Sequence, residues 1–169
     1  MVNEIRIYVE GGGDQRSGKA ALREGFSKFL SSIKEKVRVR RIRWCIIACG
    51  SLENAVEDYQ NALHTHPAAF NVLLVDADRP VAATPADHLR KGGFDMNGVP
   101  PQQVHLMVQV MEAWIIADLD ALRQFYGVEL KENCLPRHID IELVAKSDIY
   151  RAMQQATRNT MKGGYHKIR

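Results

Sequence analysis

Residues 5–20, IRIYVEGGGDQRSGKA, decide how this chain is read. Ile5, Ile7 and Val9 recur with the period of two that marks a strand. The strand runs into Gly11, Gly12 and Gly13, which let the backbone turn sharply. Ser17 then has the chemistry of a helix N-cap, and Leu22, Phe26, Phe29, Leu30 and Ile33 follow at helical spacing. Two chemistries fit such a strand–turn–helix. Gly13 to Lys19 has the G-x-x-x-x-G-K spacing of a phosphate-cradling P-loop. Alternatively Glu10, at the strand tip, is the working group of a metal site.

A P-loop places Ser or Thr after its lysine, because that hydroxyl ligates Mg²⁺ beside the phosphates. Here Ala20 follows Lys19. Asp76 could supply the second acid of such a site, but Glu10 at the strand tip would repel a bound triphosphate. Both points favour the carboxylate reading, with a P-loop nucleotide-binding protein as the lesser alternative.

The rest of the chain supplies partners for Glu10. Residues 37–49, VRVRRIRWCIIAC, read as a second strand stopped by Gly50 and Ser51. A helix follows with Leu52, Ala55, Val56, Tyr59 and Leu63 inward, ended by Pro67. FNVLLVDADRP is then an apolar third strand ending in Asp76 and Asp78. VHLMVQVM (104–111) reads as a fourth strand, EAWIIADLDALRQFYG as a helix ending at Gly127, and Ser147 as the cap of a last helix reaching Thr157. Alternating strands and helices predict an α/β, Rossmann-like three-layer fold around a mainly parallel sheet of about four strands. Continuous apolar runs such as VLLV belong at the covered centre of such a sheet. Residues 79–103 form a long Pro- and Gly-containing connection, of a length that is usually functional or mobile.

In an open parallel sheet, ligands bind at the carboxyl ends of the strands. Glu10 ends the first strand and Asp76-Ala77-Asp78 ends the third. Three carboxylates brought together there would repel one another, and a hard divalent cation removes that cost. In extended chain, residues two apart face one side, so Asp76 and Asp78 can reach one ion.

These residues resemble the TOPRIM domain of primases, type II topoisomerases and OLD-type nucleases, in which a V-E-G ends the first strand and a D-x-D the third. VEGGGD is most similar to the OLD-like branch, with Asp14 in the place of that branch's second acid. VQVMEAWIIAD and GGYHK resemble a stand-alone branch that often accompanies ATPases in mobile or defence loci. The likeness covers most of residues 4–118, with the later features extending it to the tail. The third glycine and the Arg79-Pro80 after the D-x-D depart from the pattern.

The resemblance implies Mg²⁺-dependent cleavage of DNA or RNA, with Mn²⁺ able to substitute. It implies a catalytic set of Glu10, Asp76, Asp78 and Lys167, the lysine for transition-state charge. Metal ligands would be Glu10, Asp14, Asp76, Asp78 and Glu112, the last at the end of the fourth strand; Glu10 could instead serve as general acid/base. Arg16 and Lys19 would lie on the phosphate side, and Arg38, Arg40, Arg41 and Arg43 would contact phosphates without reading sequence. A partner ATPase, self-association and a role in phage defence follow from the same likeness. The rival within this fold is a module that binds metal and nucleic acid without turnover.

Bulk composition bounds the remainder. With 169 residues, 46% of them apolar and 25% charged, the chain suits one soluble domain. The expected division is a catalytic core over 1–126 and a helical extension over 127–169 packing on it. The tail MKGGYHKIR brings no closing element, so completion of the sheet is expected from residues outside this sequence or from a partner. No apolar run of membrane-spanning length and no leader are visible, and three cysteines suit a reduced cytoplasm. Net charge is only +3, but KEKVRVRRIR (34–43) concentrates cations. His64 and His66 read as helix-end residues rather than metal ligands. Cys45 and Cys49 read as core of the second strand. Trp114, with Ile115 and Ala117, reads as helix packing rather than a base-stacking platform.

Overall fold

The alternation around Ile7 forms β1, Glu4–Glu10, in the computed structural model, which describes residues 2–137 and 140–166. Helix α1, Arg16–Phe29, follows the glycines; its N-cap is Gln15, so Ser17 lies inside the first turn. Of the expected apolar face only Phe26 is buried, while Phe29 and Ile33 are 58% and 48% exposed.

The second strand is shorter than its sequence suggests. Ser31–Val39 is helix α2, and β2 spans Arg43–Gly50. V-R-V-R alternates, but only Val37 of α2 is buried and Val39 is 79% exposed, so no sheet face rewards the alternation. A helix instead pairs Arg38 with Glu35 one turn back. Arg41, in the left-handed region at φ 57, lies in the turn before β2.

Ser51 caps α3, Leu52–Thr65, its hydroxyl accepting from the Asn54 N–H, and Ala55, Val56, Tyr59 and Ala62 are buried. β3 is Phe70–Asp76. The long connection contains α4, Pro85–Lys91, capped by Thr84. β4 is only Val104–Met107, and α5 already begins at Met111, spanning Met111–Ala117. Asp118 breaks the following helix in two by capping α6, Leu119–Tyr126, through the Ala121 N–H. α7 runs Lys146–Thr157 from Ala145, so Ser147 is not its cap.

The fold class is as expected: an α/β fold with a four-stranded parallel sheet flanked by helices. Strand order is β2-β1-β3-β4, with β1 parallel to β2 from Glu4↔Arg43 and to β3 from Ile5↔Phe70 to Val9↔Leu74. The order reverses between β1 and β3, the switch point beside which such sheets bind ligands.

The described residues form two compact units. One takes those of Met1–Val75 and Ala83–His105, and the other those of Asp76–Ala82 and Leu106–Lys167. In the second, Val110, Ala113, Ile116 and Leu122 share one core with Leu130, Leu135, Ile149, Ala152, Met153 and Ala156. Helices α5 and α6, read from sequence as part of the 1–126 core, therefore bury their apolar side chains with the residues beyond 127. Among the described residues no helix is long and apolar enough to cross a membrane.

Candidate functional site

In the first unit, Glu10 is half-buried at the end of β1. Gly11, Gly12 and Gly13 all have positive φ, a run open only to glycine at low cost. Gly11 and Gly50 exchange both backbone hydrogen bonds, at 2.7 and 3.1 Å, tying the turn to the end of β2. Gly12 lies so close to α1 that a Cβ on Gly18 would stand 2.2 Å from the Gly12 oxygen. Only a glycine at position 18 leaves room for that carbonyl. Lys19 Nζ donates to the Cys49 carbonyl at 3.4 Å. Asp14 and Lys19 both border Gly50, and Arg16 is exposed.

In the second unit, Asp76 is buried, and its Oδ1 accepts the Met111 N–H at 2.8 Å. Ala77 and Asp78 donate their N–H groups to the carbonyls of Met107 and Gln109. Asp78 itself has φ 61, a left-handed conformation that aspartate tolerates better than most side chains. Strand alternation therefore does not relate Asp76 to Asp78, contrary to the expectation from an extended D-x-D. The Asp78 carboxylate, about half exposed, pairs with Lys146 Nζ at 2.8 Å.

Glu112 is not at a strand end. It sits in the first turn of α5, 1% exposed, and its Oε1 accepts from the Tyr165 hydroxyl. Burial, and then the Glu112 carboxylate, push the Tyr165 phenol well above its ordinary range. Tyr165 is held in turn by its N–H on Thr157 Oγ1, 2.7 Å away. Lys146 and Tyr165 were not assigned from the sequence. Nothing in local spacing links either to an acid 68 or 53 residues away.

All the candidate donors are carboxylate oxygens, which suits a hard cation, and Mg²⁺ is commonly held by one or two carboxylates completed by water and phosphate. The ammonium of Lys146 shows that the Asp78 carboxylate accommodates positive charge. Among the described residues no group of three or more His, Cys, Asp or Glu side chains could hold a metal ion. The described residues therefore present no ready-made carboxylate cluster: Asp76 Oδ1 is held by the Met111 N–H and Asp78 Oδ1 by Lys146.

The model of a protein family described as a domain of unknown function, DUF4276, matches residues 9–169. The chain belongs to the DUF4276 family. No curated protein and no solved structure matches it.

Elsewhere in this DUF4276 member, the basic segment is a helix end and turn rather than a strand. Arg38 pairs with Glu35 and Arg43 with Glu4, while Arg40 and Arg41 are exposed beside them. Lys167 lies outside the described residues. His64 and His66 are exposed at the end of α3. Cys49 is buried and Cys45 half-buried, both as free thiols. Trp114 is half-buried, whereas Ile115 and Ala117 are exposed and Ile116 is the inward residue. The packing expected of Trp114, Ile115 and Ala117 together is therefore not what α5 does.

Proposed function

We propose that this chain is a metal-dependent phosphodiesterase acting on DNA or RNA, with Glu10, Asp76 and Asp78 as its essential acids. The observation that carries this reading is topological. β1 and β3 are parallel neighbours across the switch point of the sheet, and their last residues are Glu10 and Asp76. The TOPRIM likeness of the same residues supports it.

Mg²⁺ or Mn²⁺, when bound, would supply an activated water and charge stabilisation at the phosphate. The chain's own groups do the rest. The Met111 N–H fixes the orientation of the Asp76 carboxylate. Lys146 adds positive charge next to Asp78, where a substrate phosphate would benefit from it. Lys19 and Arg16 on the first unit, with Arg40 and Arg41, provide sequence-independent phosphate contacts. The free cysteines suit a cytoplasmic setting, and a partner ATPase, self-association and phage defence remain part of the proposal through the family likeness.

The test is incubation of the protein with plasmid and with RNA in Mg²⁺ and Mn²⁺. Cleavage should fall at least about 100-fold in Asp76→Asn, Asp78→Asn and Glu10→Gln. One observation favours a second reading, a binding module without turnover: Asp78 already has a protein cation, Lys146, as partner. Metal binding without cleavage, even with the neighbouring ATPase present, would select the module. Saturable ATP binding lost in Lys19→Ala but kept in Asp76→Ala would instead select a nucleotide-binding protein.

A further inference from the structure

β2 pairs with β1 on one flank only, because it stands at the end of the strand order β2-β1-β3-β4. Along a strand, successive residues turn their N–H and C=O groups to opposite flanks. The Arg43 N–H donates to the Asn3 carbonyl at 3.0 Å, so Arg43, Cys45 and Ile47 direct their backbone groups to β1. Trp44, Ile46 and Ala48 direct theirs outward. Among the described residues nothing hydrogen-bonds to that outer row. Proteins usually blunt such an edge with proline, a bulge or charged side chains along it. Between Arg43 and Gly50, β2 reads Trp-Cys-Ile-Ile-Ala-Cys, without a charge or a proline, and its register slips only at the Val9/Glu10 end. Trp44 on one face and Cys45 and Ile47 on the other are half-buried, so both faces of the strand still meet solvent.

We propose that this edge pairs with the same edge of a second copy, antiparallel, about a two-fold axis at Ile46. The outer row is self-complementary in that register. Ile46 meets Ile46 of the second copy and Trp44 meets its Ala48, each pair exchanging both backbone hydrogen bonds. The largest side chain of the row thus faces the smallest. Charge selects the same partner. Arg40, Arg41 and Arg43 are exposed around the start of β2, where Arg43 reaches Glu4. At the other end Glu10 closes β1, Asp14 lies against Gly50 and Glu53 opens α3, with Lys19 among them. Antiparallel pairing brings each basic end to an acidic one and holds the two Arg43 residues about 20 Å apart. A parallel partner would set like charges side by side. The completion of the sheet expected from a partner thus falls at β2.

Light scattering after gel filtration tests the proposal, and at micromolar concentration it should give twice the chain mass. Ile46→Pro removes an outward N–H and leaves the bonds to β1 in place, as proline on an edge strand can; this variant should elute as a monomer. Arg43→Glu should weaken the dimer by roughly 10-fold or more, and Asp14→Lys in the same chain should restore it. Ile47→Cys reads the register. Cys45 would face position 47 of the second copy in a pair without hydrogen bonds, the Cα atoms about 4.5 Å apart, within reach of a disulfide. Mild oxidation should link Cys45 to the introduced thiol in Ile47→Cys and give no dimer through Cys45 in the parent. Circular dichroism identifies a variant that has failed to fold, and the cross-link does not depend on the proline variant. A parent that is monomeric at these concentrations would overturn the proposal and leave the edge to a strand of a different protein. A dimer that persists in folded Ile46→Pro while Ile47→Cys forms no cross-link would overturn it in favour of another surface. None of these readouts requires cleavage, so the outcome is independent of the nuclease reading.

Discussion

Lys146 and Asp78, 68 residues apart in sequence, form an ion pair of 2.8 Å between α7 and the loop after β3. Lysine at the first position of a helix works against the helix dipole, and a half-exposed pair of this kind contributes at most about 1 kcal/mol to stability. Its consequence is electrostatic: it sets the charge that any divalent ion or phosphate meets at Asp78. Lys146→Met is expected to bind Mn²⁺ a few-fold more tightly by calorimetry, because one competing positive charge is gone. Its unfolding free energy should stay within about 1 kcal/mol of the parent. Unchanged Mn²⁺ affinity would remove Asp78 from the metal site.

Asp76 has a structural task, holding the first turn of α5 through the Met111 N–H. Like-charge relief alone would let Asp76→Ala stabilise the fold. The hydrogen bond from the Met111 N–H reverses that expectation, since alanine leaves the donor at the start of α5 without this acceptor. Asp76→Ala is expected to cost about 1–2 kcal/mol in urea unfolding. Asp76→Asn, which keeps an oxygen acceptor, should cost less, while both abolish metal-dependent cleavage. Equal stability of the two variants would rule out the capping role.

Tyr165 and Glu112 tie the residues after α7 to the first turn of α5. Tyr165→Phe removes the hydroxyl donor from a carboxylate that is 1% exposed, at an expected cost of about 1–3 kcal/mol. A double-mutant cycle with Glu112→Gln, followed by chemical denaturation, should show strong non-additivity. Simple additivity would mean that the two groups do not interact in solution.

Cys49 should shape the alkaline limb of the stability profile. Burial, and then the neighbouring Asp58 carboxylate, push its thiol from 9.0 up to about 12. The folded state therefore keeps the proton that the unfolded chain releases. This contribution is complete below pH 9 and is lost as pH rises toward about 12. In Cys49→Ala that part of the alkaline decline should disappear. Iodoacetamide at pH 8, read by mass spectrometry, should label Cys45 and Cys134 well before Cys49.

The basic segment gives a salt-dependence test. Arg38 and Arg43 have acidic neighbours in contact, whereas Arg40 and Arg41 project beside them. Arg40→Ala and Arg41→Ala are each expected to reduce the slope of log affinity against log salt by about one, uniformly across DNA sequences. A slope unchanged in the double variant would move the phosphate contacts elsewhere.

Much of the framework could be read from periodicity. Ile5-Ile7-Val9 and the run VLLV identified β1 and β3, and Leu52, Ala55, Val56, Tyr59 and Leu63 identified α3, because each pattern repeats within a single element. Reading failed where a short pattern served two structures. V-R-V-R alternates like a strand, yet helix α2 won because no sheet face was there to cover Val39. VQVM looked continuous with VHLM, but α5 starts at Met111, and Glu112 moved from a strand end to a buried helical turn. Ser17 and Ser147 looked like caps and proved to be interior, since a cap is set by the backbone dihedral at the junction and not by the side chain alone.

Sequence by itself determined the α/β class, the order of the principal elements and the acids that end two apolar strands, because hydrophobic spacing and glycine placement act locally. Tertiary structure alone decided that β1 lies between β2 and β3, that Lys146 faces Asp78, and that Tyr165 reaches Glu112. Those relationships join residues tens of positions apart. They depend on which surfaces bury one another, and no local spacing encodes that.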